Sequence, residues 1–239
     1  MPCLLLIPTA EEARLLLGDR SARALAAAAG HPRPVQVDEI AIHAALCGFG
    51  LAAAGAGATH AAALLAAQGD VNGLCLVGIA GTYDRGRAPV GSAIVGTAAT
   101  CWGIGIGEGT AHLGAAALGW RQAWGDVPLG LECERLELTR PPIFRAVAGE
   151  ILSVTAASAS AEEAARRRAI STAALAEDME SFSVALAARL CGLPLTVVRG
   201  ISNEAGNRDK ASWRMPEALA SARRLLAEIL THPESMVHS

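Results

Sequence analysis

The sequence predicts an α/β fold in which helices cover a largely parallel sheet, and three observations carry that prediction. Apolar runs bounded by turn residues alternate with longer Ala-rich stretches of helical period along the 239 residues, the pattern such folds produce. The composition is 52% hydrophobic and only 3% aromatic, so the core must be built from Ala, Leu, Val and Ile in close packing, which suits helices laid on a sheet. The length is enough for a substantial core, and α/β chains of this size often form one domain. Residues 1–239 are therefore expected to form a single domain with a frayed tail from Thr231.

The elements follow in order. Cys3–Pro8 reads as a buried strand, and Ala10–Ala29 as one helix with Glu11 and Glu12 in its first turn. Ile40–Phe49 is the next strand and Leu51–Gln68 the helix after it. Gly73–Ile79 is a core strand ending in Gly78-Ile79-Ala80-Gly81, and Val90–Ala98 a strand entered through Pro89. Residues 101–130 are rich in Gly, Trp and Ala without clear period, which predicts loops and short elements near a binding site. Leu131–Leu138 and Glu150–Thr155 read as strands, Ala161–Ala169 as a short helix, and Met179–Cys191 as a helix stopped by Gly192 and Pro194. Leu195–Ile201 is the last core strand, and Met215–Leu230 an amphipathic closing helix.

Charge and composition exclude several functions. A formal net charge of −3, with no basic run longer than Arg166-Arg167-Arg168, lacks the electrostatic footprint of a nucleic-acid binder. The six cysteines (3, 47, 75, 101, 133 and 191) form no Cys-x-x-Cys pair and mostly lie in apolar runs, so they read as reduced core residues. Histidines 31, 43, 60, 112, 232 and 238 show no ligand spacing, so no metal is expected. With no signal-peptide pattern and no bilayer-length apolar run, a cytoplasmic protein without a membrane partner is expected.

Gly48-Phe49-Gly50-Leu51-Ala52-Ala53 fits the G-x-G-x-x-A dinucleotide fingerprint between a strand and a helix. That fingerprint also needs an acid about twenty residues later to hold a ribose hydroxyl. The strand there ends in Val77-Gly78-Ile79-Ala80, so the segment reads as a tight strand-to-helix turn and no cofactor is expected.

Three other segments carry the chemistry. Pro8-Thr9-Ala10-Glu11-Glu12 puts carboxylates at a helix N-terminus, where macrodipole stabilisation alone would explain them. Asp178-Met179-Glu180-Ser181 opens a helix, and Glu180 could likewise be a first-turn acid. Val197-Val198-Arg199-Gly200-Ile201-Ser202-Asn203 runs a core strand into polar residues, where open α/β sheets bind ligands. Together with Gly48–Ala53, Gly78–Gly81 and Val90-Gly91, these segments resemble the nucleosidase branch of the purine nucleoside phosphorylase superfamily. Met179-Glu180 followed by Arg199-Gly200-Ile201-Ser202 is the most specific pairing. Within that branch the chain is most similar to the futalosine hydrolases, because Pro8-Thr9 precedes the acids and Ile201–Asp209 is followed by Trp213.

The resemblance implies a three-layer αβα sandwich around a mostly parallel, mixed sheet, a homo-oligomer of two or more copies, and hydrolysis of futalosine to hypoxanthine in the alternative menaquinone pathway. It makes Glu12, or else Glu11, the base that activates water; Glu180 the acceptor of ribose hydroxyl hydrogen bonds, with Met179 under the sugar; and residues near Ala157 a source of backbone groups for the base. Gly81, Ser202 and Arg199 would support the site. Asn203 stands where methylthioadenosine nucleosidases carry an acid that protonates the purine. Asn cannot supply that proton, but its amide can pair with N7 or O6 of a 6-oxopurine, and mispairing a buried polar group costs about 1–3 kcal/mol. Asn203 therefore favours hypoxanthine over adenine.

The loop Pro8-Thr9-Ala10 and the run Leu74–Val77 lack the arginines a phosphorylase needs for a buried phosphate, so water is the expected nucleophile. Competing readings are a methylthioadenosine, S-adenosylhomocysteine or aminodeoxyfutalosine nucleosidase, a purine nucleoside phosphorylase, and a nucleoside-binding protein or oxidoreductase without this activity.

Overall fold

The computed structural model describes residues 3–107, 109–120, 134–142 and 145–232. Strands are β1 (Cys3–Ile7), β2 (Arg33–Val37), β3 (Ile40–Leu46), β4 (Gly73–Thr82), β5 (Ala93–Trp102), β6 (Gly105–Ile106), β7 (Leu113–Gly114), β8 (Arg135–Glu137), β9 (Val147–Val154), β10 (Ala174–Asp178) and β11 (Leu195–Glu204). Helices are α1 (Ala10–Leu17), α2 (Asp19–Ala27), α3 (Gly50–Ala66), α4 (Ala161–Ile170), α5 (Ser181–Leu190) and α6 (Met215–Thr231).

The main sheet is mixed and runs β10-β9-β5-β11-β4-β1-β3-β2, with β8 added on β5. β1 pairs in parallel with β3 and β4, β4 with β11, and β9 with both β5 and β10. The β11–β5, β2–β3, β5–β8 and β10–β4 pairs are antiparallel. β1 shows why the sequence reads as a strand buried on both faces. Leu4 and Leu6 pack into the layer of α3 and α5. Cys3, Leu5 and Ile7 pack into the opposite layer, formed by α1, α2 and α6. Helices thus cover both faces, and the αβα sandwich around a mixed sheet is as expected.

Several expectations are corrected. Ala10–Ala29 is two helices, because Gly18 sits at φ 87°, ψ 166° and turns the chain between α1 and α2. The edge strand β2 is unforeseen; Pro34 is tolerated because an edge strand need not donate at every residue, and Asp38 at φ 50° makes the tight turn into β3. Strand β10 is also unforeseen, since Ala, Glu and Asp are poor strand formers; its five residues are all buried, so tertiary packing overrides propensity. β5 starts at Ala93 rather than Val90, and α5 at Ser181 rather than Met179, leaving Glu180 as its N-cap residue. β4 and β11 run on to Thr82 and Glu204. Of the strand expected over 131–138, residues 131–133 lie outside the described residues, as do residues 121–130 of the irregular segment, Cys133 and the tail from 233.

Cys3, Cys47, Cys75 and Cys101 are buried free thiols. No described helix is long and apolar enough to cross a membrane.

Candidate active site

Two features of the sheet build the site. The first is that the sheet curls until Ala176 and Glu177 of β10 pair with Thr82 and Gly81 at the end of β4. This brings the β10–α5 junction against the carboxyl ends of β4 and β11, where ligands bind in open α/β sheets. The second is a bulge in β11. Ile201 pairs with Ala80 and Asn203 with Gly81, so Ser202 is the extra residue, and such a bulge re-aims the side chains beside it.

Between them lies a cavity of about 400 Å³, within the usual range for small-molecule sites. Glu12, Gly81, Ala157, Met179, Glu180, Ser202 and Asn203 all line it, so residues from five separate stretches meet there. Arg199 lies directly behind, fully buried. Thr9, Phe49, Glu177, Asp178 and Trp213, although present in the segments that drew attention or next to them, were not foreseen as wall residues; nor were Arg208, Lys210 and Met215.

Glu11 and Glu12 separate clearly. Glu11 is exposed and paired with Arg14 at 2.6 Å, whereas Glu12 is 5% exposed. Thr9 caps α1 by accepting from the Glu12 N–H at 3.2 Å and donates its hydroxyl to Glu12 Oε2 at 2.6 Å, a variant of the capping box. The Ile79 N–H donates to Glu12 Oε1 at 3.0 Å. Gly78 makes the fit possible, because a Cβ there would overlap Arg199 Nη1 and lie 2.8 Å from Glu12 Oε1.

Glu180 accepts the Gly50 N–H at 3.0 Å and an Arg199 Nη2 hydrogen at 3.3 Å. The glycine turn that mimics a dinucleotide fingerprint thus points a backbone donor at this carboxylate, with Gly48 and Gly50 at φ 99° and 82°. Arg199 also pairs with Asp178 and donates to Ser181 Oγ at 3.2 Å. Its Nε and Nη1 meet no acceptor among the described residues. Burial opposes the charge on Arg199, but Asp178, Glu180 and Glu12 outweigh it and raise its pKa. The same burial pushes the Glu180 carboxyl up to about 7; Asp178 and Glu12 add to the rise, while Arg199 and the Gly50 N–H oppose it.

Asn203 is 5% exposed. Its Oδ1 accepts the Ser202 hydroxyl and its Nδ2 donates to the Glu204 carbonyl, both at 2.7 Å. The second Nδ2 contact, to the Asn207 carbonyl, is long at 3.5 Å. A Cβ on Gly81 would come 3.4 Å from Nδ2, so the glycine keeps room for the amide. Glu177 is held by the Ser158 N–H at 3.0 Å, the Ser158 hydroxyl at 2.6 Å and the Tyr83 hydroxyl at 2.8 Å.

A wall of buried carboxylates backed by buried guanidinium groups, Arg199 behind Asp178 and Glu180 and Arg167 3.6 Å from Glu177, at the carboxyl edge of a mixed sheet, is the arrangement of an α/β enzyme that acts on a small polar molecule. A family model described as the phosphorylase superfamily matches residues 8–232, and the chain belongs to that superfamily. It is 36% identical to a futalosine hydrolase of Streptomyces coelicolor over 192 residues, covering 76% of this chain and 78% of that one. Solved structures share the fold. A methylthioadenosine/S-adenosylhomocysteine nucleosidase of Neisseria meningitidis in complex with methylthio-immucillin-A matches with a TM-score of 0.66 at 19% identity, over 97% of this chain and 100% of that one. A native futalosine hydrolase of Helicobacter pylori matches at 0.68 and 14%, over 97% and 98%.

Proposed function

We propose that this protein hydrolyses the N-ribosidic bond of a purine nucleoside, with futalosine as substrate and hypoxanthine as the released base. The observation that supports this most is that Glu12, Glu180 and Asn203, far apart in the chain, face one cavity. The 36% identity to a futalosine hydrolase supports the choice of substrate.

In this reading Glu12 takes a proton from water as it attacks C1′. Each of its oxygens carries one bond from the protein and keeps a lone pair for that proton. Arg199 Nη1, over the same glycine, is a second group able to hold the water. Glu180 accepts from the ribose hydroxyls, and Met179 packs its thioether under the sugar. As the bond to N9 loosens, the sugar becomes oxocarbenium-like and charge develops on the base, which Asn203 stabilises at N7 or O6. Ser202 and Gly81 hold Asn203 in place, and the backbone near Ala157 meets the base. Water rather than phosphate is the nucleophile, because Arg199 is already paired with Asp178 and Glu180. A phosphate dianion beside them would be costly to bury.

The chain acts in the cytoplasm, where its buried thiols stay reduced, as a step of the alternative menaquinone pathway. It works as a homo-oligomer, which the exposed Phe49, Ile106, Leu113 and Trp120 support; light scattering of the purified chain would test that part. The whole reading is tested by incubating the protein with futalosine, methylthioadenosine and inosine, with and without phosphate. Hypoxanthine from futalosine at the same rate in both buffers is expected, and adenine release from methylthioadenosine in preference would replace the substrate.

A further inference from the structure

One buried carboxylate on the cavity wall has no part in the chemistry described so far. Glu177 lines the cavity but gives its oxygens to the protein. Its Oε1 accepts the Ser158 N–H at 3.0 Å, and its Oε2 accepts the Ser158 hydroxyl at 2.6 Å and the Tyr83 hydroxyl at 2.8 Å. Arg167, a buried residue of α4, stands 3.6 Å from Oε2. Its Nη1 donates to the Ala156 carbonyl at 2.7 Å and to Ser158 Oγ at 3.2 Å. Its Nη2 donates at 2.6 Å to Glu163, whose other oxygen accepts the Ala159 N–H at 2.8 Å.

Both peptide units that flank Ala157 are therefore fixed through one of their two polar groups. The peptides here are trans, and a trans peptide holds its C=O and N–H antiparallel. With the Ala156 C=O on Arg167, the Ala157 N–H has to point away from that guanidinium. With the Ser158 N–H on Glu177, the Ala157 C=O has to point away from that carboxylate. Neither of these Ala157 groups is bonded among the described residues, and Ala157 lies on the cavity wall. The stretch thus offers a ligand one fixed donor and one fixed acceptor. Its place in the cavity is set by Gly81, which pairs with Glu177 on one side and with Asn203 on the other.

Resting on the nucleosidase reading, in which Asn203 meets the base, we infer that Glu177 and Arg167 are positioning residues for base recognition. They clamp the two peptides around Ala157 so that its N–H and C=O meet the six-membered ring, where hypoxanthine carries O6 as an acceptor and N1–H as a donor. Because the clamp orders these groups before the base arrives, binding does not have to supply that ordering.

Calorimetry on the full-length Glu12→Gln protein tests this without turnover. The probes are inosine and benzimidazole riboside, which keeps the five-membered ring and the sugar but has no donor or acceptor on the six-membered ring. The quantity read is the ratio of their dissociation constants. With the clamp intact, inosine is expected to bind more tightly. Adding Glu177→Leu or, separately, Arg167→Met should lower that preference about tenfold, the worth of one or two hydrogen bonds, while benzimidazole riboside binds as before and so shows that the variant is folded. Adding Glu177→Gln instead should keep the preference. Its oxygen can accept the Ser158 N–H, and its amide can donate to the two hydroxyls, which can turn to accept. Equal weakening of both probes would mean that the two residues serve the fold alone, and would overturn the inference. So would an unchanged ratio, no preference for inosine at the outset, or a Gln variant as impaired as the Leu variant. Hypoxanthine release from futalosine by the chain with Glu12 intact is scored separately and reports only on the nucleosidase reading.

Discussion

At the scale of single residues, the two adjacent acids give the sharpest contrast. Glu12→Gln keeps the volume and leaves both local donors available, so the fold should survive while hydrolysis drops by about 10²–10⁴-fold, the usual worth of a general base. Glu11→Gln alters an exposed pair with Arg14 and should leave kcat near wild type; steady-state rates of the two variants check both outcomes. Asn203→Asp should lower kcat/KM for the hypoxanthine nucleoside and raise it, relatively, for the 6-amino analogue, because an ionised Asp faces O6 with a second acceptor. An unchanged ratio would remove Asn203 as the reader of the base. Glu180 sets the pH dependence. In the proposed mechanism the carboxylate form accepts from the ribose, and because burial raises the carboxyl to about 7, kcat/KM should fall as pH drops through about 7 rather than through 4–5. The folded protein holds this proton more tightly than the unfolded chain, so the group's contribution to stability declines as pH rises from about 4.5 to about 7. The sequence made Glu12, Glu180 and Asn203 legible because each sits at a strand or helix end in a recognisable run. Lys210 lies in no such run, and only the folding of residues 205–215 over the cavity brings it to its wall.

Among the elements, legibility followed local chemistry. β1, β4 and β11 are long apolar runs, and α3, α4 and α6 have clear ends, so they were placed within a few residues. β10 was not, since Ala174–Asp178 has no strand propensity and is made a strand by β9 on one side and β4 on the other. That missed strand carries Glu177 and Asp178, so part of the site was hidden with it. The break at Gly18 was missed because the residues on either side of it, in α1 and α2, continue a helical pattern. Gly18→Ala tests the break directly. A Cβ there meets nothing within 4 Å, so any loss comes from forcing a side chain to φ 87°, ψ 166°. The cost should be about 1–3 kcal/mol, lowering the melting temperature by roughly 2–4 °C for each kcal/mol in a chain of this size. Thermal denaturation measures it, and a stability equal to wild type would mean α1 and α2 can join.

In the whole molecule, the curl of the sheet decides what the chemistry can be. By pairing with both β9 and the end of β4, β10 carries Asp178 and Glu180 in front of Arg199 on β11, while α1 brings Glu12 from the other side of β4. Arg199, the buried guanidinium beside Glu12 and Glu180, is shared by carboxylates, which disfavours an anionic nucleophile and favours water. That consequence belongs to no single motif. The absence of arginine near Pro8 and Leu74 hinted at it in the sequence, but the pairing of Arg199 needed the closed sheet. The most direct measurement is hydrolysis of futalosine in ¹⁸O-labelled water with phosphate present, followed by mass analysis of both products. The account predicts unlabelled hypoxanthine and a free sugar carrying one ¹⁸O. A sugar 1-phosphate without label would contradict it.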